Sequence, residues 1–180
     1  MVIKKGWRIV IDASVARAAG ETIVPVSRHC RLCLERVRQN GHFIVMTEPL
    51  YKEWRKHQSR FAKAWFTSMT ARKKVIRLND EYLPELHLAI ATADVSEKDR
   101  AAMLKDIHLL EAAVASNHNV LSLDKVVHRL FAQLCVHCGV IKQIIWLNPD
   151  EQFEQVIQWL NFDFKYNQQF CLINTLVDDV

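Results

Sequence analysis

The chain has 180 residues and a mass of 20.9 kDa, with 50% hydrophobic and 24% charged residues, which suits one globular domain. Four glycines and four prolines are too few for collagen-like, low-complexity or turn-dense all-β architectures. The formal net charge of +4 and the pI near 8.8 favour an anionic partner only weakly.

The sequence lacks the apolar segments that direct a chain to or across a membrane. No apolar run reaches the length of a membrane span, and the apolar stretch near the N-terminus is shorter than the core of a signal peptide. We therefore expect a cytoplasmic protein with no membrane partner. In that compartment the five cysteines are expected to be reduced thiols or metal ligands rather than disulfides.

Short β-branched segments alternate with longer helical patterns along the chain. Strands are predicted at 8–12, 42–47, 74–78, 119–124 and 140–147. Helices are predicted at 25–39, 49–70, 84–93, 96–116 and 125–138. This alternation predicts a three-layer α/β/α sandwich with a central, mainly parallel five-stranded sheet. A functional site is then expected at the carboxyl ends of the strands.

The composition changes after residue 149. Residues 150–180 contain six acids and only one basic residue, Lys165, for a net charge of −5, so the first 149 residues carry +9. We interpret 1–149 as the main domain. Residues 150–180 are predicted to be an acidic extension packed on it, with an amphipathic helix at 150–160 followed by a tail rich in aromatic and amide side chains.

Four carboxylates occupy positions that the fold alone does not predict. Asp12 and Asp124 end the first and fourth strands, Asp106 falls on the core-facing arc of its helix, and Glu53 lies between the apolar and basic arcs of another. A buried carboxylate is costly unless it is paired, protonated or bound to a cation. Taken singly, each has a simpler explanation: Asp12 and Asp124 as helix N-caps, Asp106 as the partner of a buried arginine, and Glu53 as an exposed residue.

Three sequence motifs surround these acids. Asp12 is followed by Ser14 in RIVIDASV, and Glu53 follows the strand-ending Thr47 in MTEPLYKEW. The third motif is the 106–124 segment DIHLLEAAVASNHNVLSLD, in which an alanine-rich helix leads into a strand with a hydroxyl two residues before its final acid. Over about residues 7–147 these motifs resemble the PIN-domain nucleases, particularly the VapC-like ribonuclease branch.

The resemblance implies a metal-dependent active site. Asp12, Asp106 and Asp124 would ligate one or two Mg²⁺ or Mn²⁺ ions, which prefer oxygen ligands. Glu53 would ligate an ion or orient the attacking water, and all four acids would be catalytic. The ligands would be held by hydrogen bonds from two hydroxyl groups, those of Ser14 and Ser122.

The function implied by the resemblance is hydrolysis of RNA phosphodiester bonds, in the toxin of a toxin–antitoxin pair with an antitoxin as partner. The sequence departs from the family in two places: Lys125 and the two valines after it replace an extra acid that many members carry, and the acidic extension is not typical of the compact toxins. A catalytically degenerate module that binds RNA or protein is the alternative. A regulatory protein and a second copy of the chain are further candidate partners, since the extension could cover the basic segment in cis or in a homodimer.

A basic segment supports an RNA substrate independently of the resemblance. Between Lys52 and Arg77 there are nine lysines or arginines and one acid, a density that can neutralise several phosphates. The alternative is an ordinary solvated helix face. The residues predicted to bind RNA are Lys52, Arg55, Lys56, Arg60, Lys63, Arg72, Lys73 and Lys74. Trp54, Phe61 and Trp65 have core spacing and are not predicted to stack on bases.

Two C-x-x-C pairs raise a hypothesis of another class. Cys30 and Cys33 form one pair and Cys135 and Cys138 the other, and four thiolates could hold a structural Zn²⁺. About a hundred residues separate the pairs, and both are predicted to lie within helices. We therefore favour small buried residues that pack one helical turn apart over a shared zinc site.

Overall fold

Five parallel strands form the central sheet of the computed structural model, which describes residues 6–162 and 170–178. The strands are β1 Arg8–Ile11, β2 Phe43–Met46, β3 Val75–Arg77, β4 Asn119–Leu121 and β5 Ile145–Leu147. Their order is β3-β2-β1-β4-β5, and every neighbouring pair is parallel. The central strands are largely buried and rich in Val, Ile and Leu because both faces of the sheet are covered by helices. The predicted α/β/α fold with a parallel five-stranded sheet is confirmed.

Eight α-helices connect and cover the strands in the described chain. They are α1 Ala13–Ala18, α2 Pro25–Gln39, α3 Glu48–His57, α4 Arg60–Ala71, α5 Pro84–Thr92, α6 Glu97–Val114, α7 Lys125–Leu134 and α8 Phe153–Leu160. The described residues also include the 3-10 segments Gly139–Ile141 and Leu172–Asp178. Within residues 6–162 and 170–178, no helix combines the length and the hydrophobicity needed to cross a bilayer.

The helix predicted at 49–70 is two helices, α3 and α4. Gln58 leaves the helical conformation (ψ 139°), and the Ser59 hydroxyl caps α4 by accepting a hydrogen bond from Ala62 N at 3.0 Å. The break is held from outside as well, because Ser59 N donates to the Ala16 carbonyl at 3.0 Å. The apolar pattern continues across the break, with Trp54 and Trp65 both buried, so periodicity alone predicts one helix.

Other boundaries shift where side chains form local turns. The predicted strand 140–147 begins as a 3-10 turn, and only Ile145–Leu147 pair with β4. The predicted helix 125–138 ends at Leu134. The predicted helix at 150–160 begins at Phe153, because Asn148 Oδ1 accepts a hydrogen bond from Asp150 N at 2.9 Å and forms an Asx turn. Helix α1 is not predicted from the sequence.

The C-terminal part of the chain packs on the same sheet. Helix α8 packs against α2, and its last turn is tied to the loop before β2 because His42 Nε2 donates to the Leu160 carbonyl at 2.8 Å. His42 Nδ1 accepts from Trp7 N at 3.0 Å, which fixes a neutral ring, and burial lowers the pKa of this histidine. Cys171 forms an antiparallel bridge with Ile145 at the edge of β5. Residues 163–169 and 179–180 of the predicted tail lie outside the described residues.

Candidate active site

The sheet changes direction between β1 and β4. From β1 the chain proceeds to β2 on one side, whereas β4 lies on the other side of β1, so the loops after these two strands diverge and leave a crevice at their carboxyl ends. The two loops are joined by a hydrogen bond of 2.9 Å from Asp12 N to the Leu121 carbonyl. The strand order therefore brings the predicted acids of β1 and β4 to the same place.

A cleft of about 330 Å³ opens at this crevice and contains all four predicted acids. Its walls come from α1, α3, α6 and the start of α7. The titratable residues lining it are Asp12, Glu53, Asp106 and Asp124 together with Arg17, Lys52, Lys56, His57 and Lys105. The structure thus places acids and cations in one cavity, which suits a phosphate ester bound next to a carboxylate cluster.

Asp12 is held by two hydroxyl groups. Its Oδ2 accepts hydrogen bonds from Ser14 Oγ and, at 2.8 Å, from Ser122 Oγ. Asp12 occupies the N-cap position of α1 but its side chain makes no capping hydrogen bond, and it is only 9% exposed. The N-cap interpretation therefore fails for this residue, whose carboxylate is instead oriented by the two predicted serines.

Asp124 has both of the roles considered for it. Its Oδ1 caps α7 by accepting from Val127 N at 2.9 Å, and it also lines the cleft. Its backbone N donates to Ser122 Oγ at 3.1 Å, so the Ser122 hydroxyl links Asp124 to Asp12. One side-chain oxygen of Asp124 is thus committed to the helix, and its other oxygen makes no hydrogen bond within residues 6–162 and 170–178.

The capping role of Asp124 can be measured separately from its charge. Asparagine and aspartate are equally good N-caps, so Asp124→Asn is expected to change the free energy of unfolding by less than about 0.5 kcal/mol, whereas Asp124→Ala should cost about 1 kcal/mol. Urea unfolding of both variants tests this. Equal stability of the two variants would contradict the capping role.

Asp106 is a buried acid whose pKa is shifted. It is 8% exposed, and within residues 6–162 and 170–178 it pairs with no arginine; the Nζ atom of Lys105 lies 3.9 Å from its Oδ1. Burial, together with the negative charges of Asp12, Asp124 and Glu53, raises the pKa of the Asp106 carboxyl to about 6, although Lys105 opposes the shift. The other three carboxylates therefore lie close enough to Asp106 for their charges to affect it.

The cations of the cleft overlap only partly with the basic residues predicted from the sequence. Of the eight predicted residues, Lys52 and Lys56 line the cleft. Sequence reasoning missed the other three cleft residues, Arg17, His57 and Lys105. Arg17 belongs to the unpredicted helix α1, while Lys105 could have been found from its position beside Asp106.

The remaining predicted cations lie elsewhere. Arg55 and Lys63 line a second pocket on the other side of α3, and Arg60 is exposed on α4. The loop between α4 and the amino end of β3 contains Arg72, Lys73 and Lys74. This loop lies at the amino ends of the strands, whereas the acids lie at the carboxyl ends. The Lys74 ammonium is already occupied, since it donates to the Gly41 carbonyl at 2.8 Å and lies 3.9 Å from the centroid of the Phe43 ring.

The two cysteine pairs lie in different parts of the fold. Cys30 and Cys33 are on α2, which packs against α1, α4 and α8, whereas Cys135 and Cys138 follow the end of α7, which packs against α6. The second pair is therefore not within a helix as predicted. All four thiols are free and buried, and burial raises the pKa of Cys30 to about 12 and of Cys135 to about 11. This burial agrees with a packing role.

The carboxylate groups of the cleft are of the kind that binds a hard divalent cation. Its carboxylate oxygens are the ligands that Mg²⁺ and Mn²⁺ prefer, and a cation would relieve the repulsion that contributes to the raised pKa of Asp106. Among the side chains of residues 6–162 and 170–178, no three of His, Cys, Asp or Glu are grouped closely enough to be assigned as a ligand set. The charges of the other three acids thus affect Asp106, but the four carboxylates are not arranged as the ligands of a metal ion.

Comparisons with protein-family models, curated proteins and solved structures found no match to this chain.

Proposed function

We propose that the chain is a divalent-metal-dependent endoribonuclease with the four-acid cleft as its active site. The observation that carries the proposal is the meeting of Asp12, Glu53, Asp106 and Asp124 in one cleft at the switch point of a parallel sheet. Burial and the three neighbouring acids raise the pKa of Asp106, a perturbation that is more common at functional sites than at structural ones. The motif resemblance to PIN-domain nucleases supports the same interpretation.

Asp12, Asp106 and Asp124 would hold one or two Mg²⁺ or Mn²⁺ ions, with Glu53 ligating an ion or orienting the water. Such an ion polarises a phosphodiester and lowers the pKa of a water molecule bound to it.

The chain's own residues supply orientation and charge. The hydroxyls of Ser14 and Ser122 fix Oδ2 of Asp12, so this carboxylate does not need to reorganise during the reaction. Arg17, Lys52, Lys56 and Lys105 line the cleft and would bind the phosphates on either side of the scissile bond. The proposal includes a cytoplasmic location, which rests on the lack of long apolar segments in the sequence. It also includes a toxin role with an antitoxin partner, which rests on the resemblance alone.

A nuclease assay on the purified chain tests the proposal. Wild-type protein is expected to cleave RNA with Mn²⁺ or Mg²⁺, to stop when EDTA is added, and to lose activity on Asp124→Asn while keeping its stability. Cleavage that continues in EDTA, or that survives in Asp124→Asn, would refute the proposed mechanism.

A degenerate module that binds RNA without cleaving it is the second candidate. It is favoured by the absence of a grouped ligand set among the residues that the structure describes. The two candidates differ in one measurement: the degenerate module binds RNA equally well with and without Mn²⁺ and releases no fragments.

A further inference from the structure

Helix α3 separates the cleft from a second pocket of about 370 Å³. Lys52, Glu53 and Lys56 line the cleft, whereas Tyr51, Arg55 and Gln58, from other positions of the same helix, line the second pocket. The opposite wall of this pocket comes from α4, through Lys63, Phe66 and Thr67. A strand bound in the cleft therefore has a neighbouring cavity one helix width away, about 10 Å with side chains.

The second pocket presents aromatic rings that the core does not fully cover. Tyr51 and Phe66 are half-buried, and their ring centroids lie 6.0 Å apart. Trp54 lies behind them with its centroid 5.7 Å from Phe66, but it is buried and its Nε1 donates to the Ile11 carbonyl at 2.7 Å. Tyr51 and Phe66 are thus partly exposed rings, and Phe66 packs on the buried Trp54.

Two guanidinium groups lie against the Tyr51 ring. The guanidinium carbon of Arg77 lies 4.9 Å from the centroid of Tyr51, that of Arg55 lies 5.9 Å away, and Lys63 is exposed on the facing helix. No acid of the described residues lines this pocket, in contrast to the cleft. Aromatic rings and guanidinium planes are the side-chain surfaces on which unpaired bases stack, and nearby cations hold the phosphates that connect those bases.

We propose that this pocket binds an unpaired base of the RNA strand whose backbone lies in the cleft. The inference rests on the proposed function for the choice of RNA, and it narrows the substrate class to single-stranded RNA or single-stranded regions of structured RNA. Bases of a duplex are stacked within the helix and do not reach Tyr51 and Phe66. Gln58 lines the pocket as a side chain able to hydrogen-bond to a base edge.

Binding is tested without cleavage, on wild-type protein in EDTA. The probes are a short single-stranded RNA carrying 2-aminopurine, whose fluorescence reports stacking, and a duplex RNA of the same sequence. Tyr51→Leu keeps an apolar side chain but removes the ring, and it is expected to weaken single-strand binding about tenfold and duplex binding less than about twofold. Tyr51→Phe, which keeps the ring, should bind like the wild type.

A second pair of variants covers the case in which Tyr51→Leu disturbs folding, which urea unfolding would reveal. Arg77→Ala removes the guanidinium beside Tyr51 and should weaken single-strand binding about threefold, whereas Arg28→Ala, a matched loss of charge on the exposed side of α2, should have less than half that effect.

The pocket assignment is overturned if neither Tyr51→Leu nor Arg77→Ala weakens single-strand binding, if duplex binding falls equally, or if the wild type binds no single-stranded RNA. These outcomes are separate from the nuclease test. If the wild type binds single-stranded RNA through Tyr51 but never cleaves it, the pocket assignment stands and the ribonuclease function is refuted. If it cleaves RNA but Tyr51→Leu has no effect on binding, the ribonuclease function stands and the pocket assignment is refuted.

Discussion

Replacement of Asp12 by asparagine is expected to lower divalent-dependent cleavage of RNA by more than about 100-fold, since even a residue that only supports a ligand is worth 10- to 100-fold. The amide oxygen of asparagine can still accept hydrogen bonds from Ser14 and Ser122, as Oδ2 does now. The other position becomes an NH₂ group, which cannot ligate a cation. The substitution therefore removes the ligand while preserving the local hydrogen bonds.

The measurement is cleavage of single-stranded and structured RNA by purified variants, with urea unfolding as a check on the fold. Asp94→Asn is the matched control, because it makes the same chemical change at an exposed acid that does not line the cleft. It should cleave like the wild type. Undiminished activity of Asp12→Asn would end the proposal that this cleft is the active site.

Asp106→Asn is expected to stabilise the metal-free protein by about 2 kcal/mol at pH 7.5, an unusual direction for a substitution of a buried residue. The reason is the cost of keeping the Asp106 carboxylate charged when it is 8% exposed and close to three other acids. The neutral amide avoids that cost.

The pH dependence of this effect has a definite sign. The Asp106 carboxyl has a pKa of about 6 in the folded chain and an ordinary value of 3.8. Below pH 3.8 it is protonated in both states and costs nothing. As the pH rises towards 6 the unfolded chain loses its proton first, so the stability of the wild type falls, and above 6 it stays lower. The advantage of Asp106→Asn should therefore grow between pH 4 and pH 6 and then level off.

Thermal and urea unfolding across this pH range test the prediction, with Asp94→Asn again as control. Adding Mn²⁺ at pH 7.5 provides a second readout, because a cation bound by the cluster should stabilise the wild type and not Asp106→Asn. A wild type that is more stable than Asp106→Asn at every pH without metal would show that the Asp106 carboxylate contributes favourable interactions absent from the structure.

The sequence predicts the layers of the fold better than the boundaries of its elements. Apolar β-branched segments identify the five strands, because strands covered on both faces need such residues. The break between α3 and α4 is not predictable from periodicity, since the Ser59 cap and its bond to Ala16 act within a continuous apolar pattern. The short helix α1 has too few residues for a periodic signal.

The same limit applies to the site. Asp12 and Asp124 are predictable because strand ends converge at one edge of a parallel sheet. The basic residues of the cleft are not predictable in this way, because charge density along the sequence does not determine at which end of the strands a lysine or arginine lies. Lys74 belongs to the predicted basic segment yet binds Gly41 at the opposite edge, whereas Arg17 and Lys105 lie outside that segment and line the cleft.

The pairing of β1 with β4 also determines at what point during protein synthesis the cleft can form. The hydrogen bond between Asp12 and Ser122 spans 110 residues, and β4 follows most of the chain in order of synthesis. A ribosome adds about 5–20 residues per second, so Asp12 emerges many seconds before the strand that completes its surroundings. A nascent chain that carries Asp12 and Glu53 without β4 has no assembled cleft, which is complete only after synthesis has passed residue 124.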